Sequence, residues 1–264
     1  MWSNAQNMVR QALLNGGLHV SSTTQEGRLA DFFSAIKPVA TNHPLVRVGG
    51  AADGGYLVPD DLAGIGACFS PGVADSSSFE LDMADRGIPC FMADFSVDGP
   101  AAEHPLFRFD KKFLGPVDAG VHMRLATWVE KYVPGHSDLL LQMDIEGAEY
   151  GVIMDTPIEV LRRFRILAIE FHHLHALCDK FGFDLIHLSF MKLLQDFEVV
   201  HLHPNNCAAP VHLGRYAIPP VLEITLLRRD RISHRSPASL FPHPLDRSSY
   251  LTRGDFALPE CWFR

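Results

Sequence analysis

Apolar residues in this chain gather in short unbroken runs, and several runs stop abruptly at acid. Leu139-Leu140-Leu141-Gln142-Met143 leads into Asp144-Ile145-Glu146-Gly147-Ala148-Glu149. Ile166-Leu167-Ala168-Ile169 leads into Glu170-Phe171-His172-His173. Pro89 to Ala93 ends at Asp94. Strands that are apolar at every position are covered on both faces, as in parallel sheets. Further strands are predicted at Gly66 to Val73, Leu106 to Phe109, Phe197 to His203 and Val221 to Leu227. Helical spacing marks residues 1–40 with a Ser/Thr break at 21–24, then 77–86, 125–132, 148–163 and 183–196. Ser77 and Glu80 have capping-box spacing.

Strand–helix alternation from Gly66 to Leu194 predicts an α/β fold: a mostly parallel sheet with helices on both faces. No clear helix separates the final two strands, so a hairpin there makes the last strand antiparallel. The expected organisation is a helical extension over 1–44, the main domain over 45–228, and an irregular wrap or tail over 229–264. Arg47 to Val58 holds four glycines around Asp53, which predicts a tight turn followed by a short strand.

Bulk properties narrow the function classes. At 264 residues, one core suffices to fold without a disulfide or metal. The net charge of −8, with no basic cluster in the first 160 residues and only the short pairs Arg162-Arg163 and Arg228-Arg229 beyond, argues against nucleic acid as a partner. Five scattered cysteines with no CxxC pair suggest reduced thiols in a cytoplasmic setting and no zinc site. No leader and no membrane span are expected.

Acid at the end of a parallel strand lies at the sheet's carboxyl edge, where open α/β folds bind ligands. If the two long apolar runs are neighbours, Asp144 and Glu170 share one crevice. The loop after the first strand, Phe69-Ser70-Pro71-Gly72-Val73, lacks GxGxxG and suits a ligand without phosphates. Asp94 stands where an acid would grip ribose hydroxyls, and that role is preferred to a plain cap of the next turn. S-adenosylmethionine, with a ribose and no phosphate, fits these features.

Gln142-Met143-Asp144-Ile145-Glu146-Gly147-Ala148-Glu149 is close to a K-x-D-[IV]-E-G-x-E hallmark, and it is joined by the Asp94 and Glu170/His172 strand ends. On these residues the chain resembles the FkbM-type methyltransferases, class I S-adenosylmethionine-dependent O-methyltransferases. A related methyltransferase-like branch carries elements matched here by Arg47, Gly49, Asp53, Gly54, Gly55 and Tyr56. It also carries elements matched by His203, Asn205 and Asn206, and by Pro219, Leu222, Glu223 and Thr225. The resemblance spans roughly 45–228. Two departures stand out: Ser70-Pro71-Gly72-Val73 replaces an Asp-x-Gly-Ala-Asn loop, and Gln142 replaces a common lysine.

The resemblance implies a Rossmann-like class I methyltransferase sheet and methylation of a hydroxyl on a sugar, glycan or secondary metabolite. Cofactor-binding candidates are Asp53, Tyr56, Ser70, Gly72, Asp94 and Asp144. Mg²⁺ is expected on Asp144 and Glu170, with His203, Asn205 or Asn206 completing the shell. His172 is the first candidate for general base and His203 the second, with Asp144 also catalytic. Plainer roles exist for each: the acids as helix caps or partners of Arg165 or Lys180, Glu146 and Glu149 as helix-start charges. Two rivals remain, a metal-dependent hydrolase and a methyltransferase fold that binds without catalysing. The expected partner is a small-molecule or oligosaccharide acceptor, and a homodimer stays open.

Overall fold

A computed structural model of the chain describes residues 3–51 and 53–264. Seven strands form the central sheet: β1 (Ala67–Pro71), β2 (Cys90–Ala93), β3 (Phe107–Asp110), β4 (Leu139–Met143), β5 (Phe164–Phe171), β6 (Phe197–Pro204) and β7 (Leu222–Arg228). Their order is β6-β7-β5-β4-β1-β2-β3. The pairs β1–β2, β1–β4, β2–β3 and β4–β5 are parallel. β7 runs antiparallel to both β5 and β6. This is the sheet expected from the sequence, including the reversed last strand.

The described helices are α1 (Asn4–Asn15), α2 (Glu26–Ala35), α3 (Ser78–Asp85), α4 (Leu125–Tyr132), α5 (Glu149–Asp155), α6 (Ile158–Leu161) and α7 (Lys180–Leu193). One face of the sheet carries a core of α2, α4, α5 and α7 side chains, with Phe32, Trp128, Tyr150 and Phe190 fully or almost fully buried. The other face packs against α3 and an antiparallel hairpin of Leu45–Val48 with Tyr56–Pro59. Continuous burial of β4 and β5 accounts for their unbroken apolar sequence.

Three local expectations are revised. The helix foreseen over 148–163 is two helices, because Pro157 cannot continue the first. α7 begins at Lys180 rather than 183, capped by the Asp179 carboxylate on the N–H groups of Phe181 and Gly182. The capping box at Ser77 and Glu80 does not form, since Glu80 turns inward to the Ser70 hydroxyl.

Residues 229–264 wrap the β6 side. Arg235–Pro237 pairs with Val39–Thr41, and Trp262 is fully buried against Phe33 at a ring separation of 4.9 Å. Among the described residues no helix is long and apolar enough to cross a membrane.

Candidate active site

The carboxyl ends of β1 and β4 meet where the connections diverge to opposite sides of the sheet, the usual ligand crevice of such folds. Gly72 makes that meeting close. It has φ +84°, and a Cβ there would lie 1.5 Å from the Asp144 carbonyl oxygen. The Asp144 N–H donates to the Pro71 carbonyl at 3.2 Å, and Gly72 N–H to Ala93 at 2.9 Å.

After Asp144 the chain reverses through two left-handed residues, Glu146 (φ 55°) and Gly147 (φ 103°). Gly147 has no substitute here, because a Cβ would lie 2.7 Å from the His173 ring. The reversal aims the N–H groups of Ile145 and Gly147 at Glu149 Oε1, at 3.2 and 3.1 Å. The same oxygen lies 3.1 Å from His172 Nδ1. The Asp-Ile-Glu-Gly-Ala-Glu block is thus a folded loop that closes on an imidazole from the next strand.

His172 Nε2 faces three more carboxylates: Glu146 at 3.4 Å, Glu170 at 3.5 Å and Asp144 at 3.7 Å. Glu146 is largely exposed, whereas Glu170 is buried. Asn205 Nδ2 donates to Glu170 Oε1 at 3.1 Å. Burial raises the Asp144 carboxyl to about 7, against the pull of His172 and with the help of Glu146 and Asp53. Burial likewise pushes Glu170 well above the usual carboxylate range, with Asp144 and Glu223 adding to it. For His172, burial favours the neutral ring, but Glu149 and Asp144 outweigh it and its pKa is raised.

Cross-strand register extends the cluster. Glu223 of β7 stands opposite Glu170, and opposite His203 on its other side. Asp144, Glu170, Glu223 and His203 therefore form a row across four strand ends. His203 is not part of the carboxylate group around His172. Its Nε2 donates to the Arg247 carbonyl at 2.9 Å, and Nδ1 lies 3.6 Å from Asp246. His201 bonds the same aspartate at 2.8 Å. Asn206 is spent on the wrap as well, accepting from the Tyr250 N–H and donating to its carbonyl.

On the cofactor side, Asp94 is buried and both oxygens are engaged. Oδ2 accepts from Ala74 N–H at 3.1 Å, and Oδ1 from the Ser96 N–H and hydroxyl at 2.8 and 2.6 Å. It ties the loop after β1 to the loop after β2. Ser70 and Tyr56 lie beneath the crevice, both buried. The Ser70 hydroxyl contacts Glu80 and Gln142, and Gln142 reaches the Tyr56 hydroxyl at 3.3 Å. Burial raises the pKa of the Glu80 carboxyl. Gln142 thus sits in a buried chain of polar groups, where a lysine would bring a charge. Asp53 is exposed and lies within electrostatic reach of Glu146 and His172.

Arg165 pairs with Asp61 and Asp138 and leaves the site acids alone. Two participants carry no site role in the sequence analysis, although Glu223 is among its matched motif residues. Glu223 was legible as an acid inside an apolar strand, whereas Asp246 lies in an aperiodic stretch that offers no pattern.

Residues 119–195 match the model of the Methyltransferase FkbM domain. This stretch is therefore similar to part of the FkbM-type methyltransferases. It holds β4, α5, β5 and α7, and with them Asp144, Glu149, Glu170 and His172. The match covers under a third of the chain and falls on the half of the central sheet that carries the clustered acids. No curated protein matches the chain in sequence. A solved structure from Pyrococcus horikoshii, described as an RNA methyltransferase candidate, aligns over 76% of this chain and 97% of its own. Identity is 11% and the TM-score 0.32, so the fold rests on this chain's own strand order.

The matched segment also has the donors for a cation. Asp144 Oδ1, Glu149 Oε2 and Glu170 Oε2 are buried with no hydrogen-bond partner among the described residues. Ligand atoms of Asp144, Glu149 and His172 all lie within 4.8 Å of one another. Hard carboxylate oxygens of this kind suit Mg²⁺.

Proposed function

We propose that this protein is an S-adenosylmethionine-dependent O-methyltransferase. The acceptor would be a neutral hydroxyl compound: a sugar, a glycan or a secondary metabolite. The observation that carries the reading is the convergence of Glu170 and Asp144 on His172 Nε2, at 3.5 and 3.7 Å, at the carboxyl edge of the segment that matches the FkbM domain.

Methyl transfer needs the acceptor oxygen in line with the sulfonium carbon, so positioning supplies much of the rate. An alkyl hydroxyl is a poor nucleophile near neutral pH and gains from losing its proton. His172 Nε2 is the group placed to take that proton. Asp144 and Glu170 would hold a divalent cation such as Mg²⁺, with Asn205 orienting Glu170. When bound, the ion would lower the pKa of the acceptor hydroxyl. Asp94 would act on the cofactor by fixing the loop of Gly72 to Ala74, and a crevice lined by carboxylates repels anionic acceptors.

The test is transfer of a labelled methyl group from S-adenosylmethionine to a panel of neutral glycosides and polyols, with Mg²⁺ and with a chelator. The expected result is a methyl ether product, with a rate at least about tenfold lower after chelation. Tight cofactor binding without product across the panel would favour the non-catalytic rival. No cofactor binding, with hydrolysis of an ester or amide, would favour the hydrolase.

A further inference from the structure

We propose that Glu149 is a positioning residue for His172, holding the imidazole with its proton on Nδ1 and Nε2 turned to the Asp144–Glu170 crevice. The inference rests on His172 being the group that receives the acceptor's proton.

Two consecutive residues at the start of α5 clamp this histidine. Glu149 Oε1 lies 3.1 Å from His172 Nδ1, and the Tyr150 hydroxyl donates to the His172 carbonyl at 2.6 Å. The first contact sets the ring and the second sets the backbone. Glu149 is completely inaccessible to solvent, and its Oε1 also accepts from the N–H groups of Ile145 and Gly147. Three nitrogens converge on one oxygen, an arrangement that an acceptor alone satisfies. The shared proton must therefore sit on Nδ1. In the neutral ring this leaves the Nε2 lone pair facing the crevice, 3.4 Å from the exposed Glu146, 3.5 Å from Glu170 and 3.7 Å from Asp144. A histidine's useful nitrogen is selected by the bond its other nitrogen makes, and here that bond comes from the last acid of the Asp-Ile-Glu-Gly-Ala-Glu block.

A purely structural role would need only an acceptor for the two backbone N–H groups. The difference shows in the ring nitrogens. Protein labelled with ¹⁵N-histidine is recorded by long-range proton–nitrogen correlation at mildly alkaline pH, without cofactor or acceptor. His172→Asn assigns the signal. The wild type is expected to show a protonated Nδ1 and a bare Nε2. Glu149→Gln keeps an acceptor and is expected to keep that tautomer. Glu149→Ala is expected to shift the ring to the Nε2-protonated form, with the backbone amide spectrum reporting retained fold. A wild-type ring protonated on Nε2 overturns the proposal, even if Glu149→Ala fails to fold. So does one tautomer shared by wild type and a folded Glu149→Ala. Because no substrate is present, failure of the methyl-transfer assay and failure of this assignment are separate outcomes.

Discussion

Asp144 and Glu149 are five positions apart and face one imidazole, because two left-handed residues turn the chain between them. Asp144→Asn keeps the side-chain shape and removes the charge. Methyl transfer is expected to fall by about 100-fold or more, measured as S-adenosylhomocysteine released, with the fold intact. Asp94→Ala acts elsewhere. It frees Ala74 and Ser96 from their shared acceptor, and the dissociation constant for S-adenosylmethionine is expected to rise about tenfold, or about 1.4 kcal/mol. Calorimetry on the two variants separates the roles, and an equal loss of cofactor affinity in both contradicts them. At this scale the sequence displayed the acids but not their partners. Asp144 and Glu170 stood out because charge after an apolar run is costly unless used or paired. The Glu149–His172 bond was hidden, since Glu149 equally fits the plain role of a charge at a helix start.

Strand ends, rather than single residues, bring the crevice together. β1 and β4 approach so closely that only a hydrogen fits at Gly72. Gly72→Ala meets both a left-handed φ and a backbone oxygen. It is expected to lower stability by more than about 3 kcal/mol and to abolish cofactor binding. Gly87→Ala is the control: φ is +77° with nothing within 4 Å of the added Cβ, so the cost is expected to be about 1 kcal/mol. Chemical denaturation compares the two, and equal costs would contradict the close approach. The elements were readable wherever burial is continuous, as in β4 and β5. They were misread where a local rule competed with a tertiary contact. Pro157 divided a helix that periodicity joined, and Ser70 drew Glu80 out of its capping position.

Across the whole molecule, the C-terminal wrap is latched to β6 through His201, His203 and Asp246. His203 has its pKa raised to about 9: burial opposes the charge, but Asp246 and Glu223 outweigh it. A raised imidazole stabilises fully below about pH 6.5 and loses that contribution as pH rises through 9. Glu223, raised to about 8 by burial, slopes the same way, since it must ionise while buried as pH climbs from 4.5. Thermal melts should thus show wild type losing stability toward alkaline pH. His203→Gln should lack the part between 6.5 and 9, on the order of 3 kcal/mol. A difference between the two that does not vary with pH would contradict the latch. None of this could be read from residues 229–264, whose contacts are made by isolated side chains without a repeating pattern.

The central claim is that the crevice between β1, β2 and β4 takes an activated methyl donor. Titration calorimetry of the full chain with S-adenosylmethionine tests it most directly. The account predicts saturable binding at one site in the micromolar range, weakened by Asp94→Ala; a folded protein that gives no binding heat, by an orthogonal check as well, would contradict it.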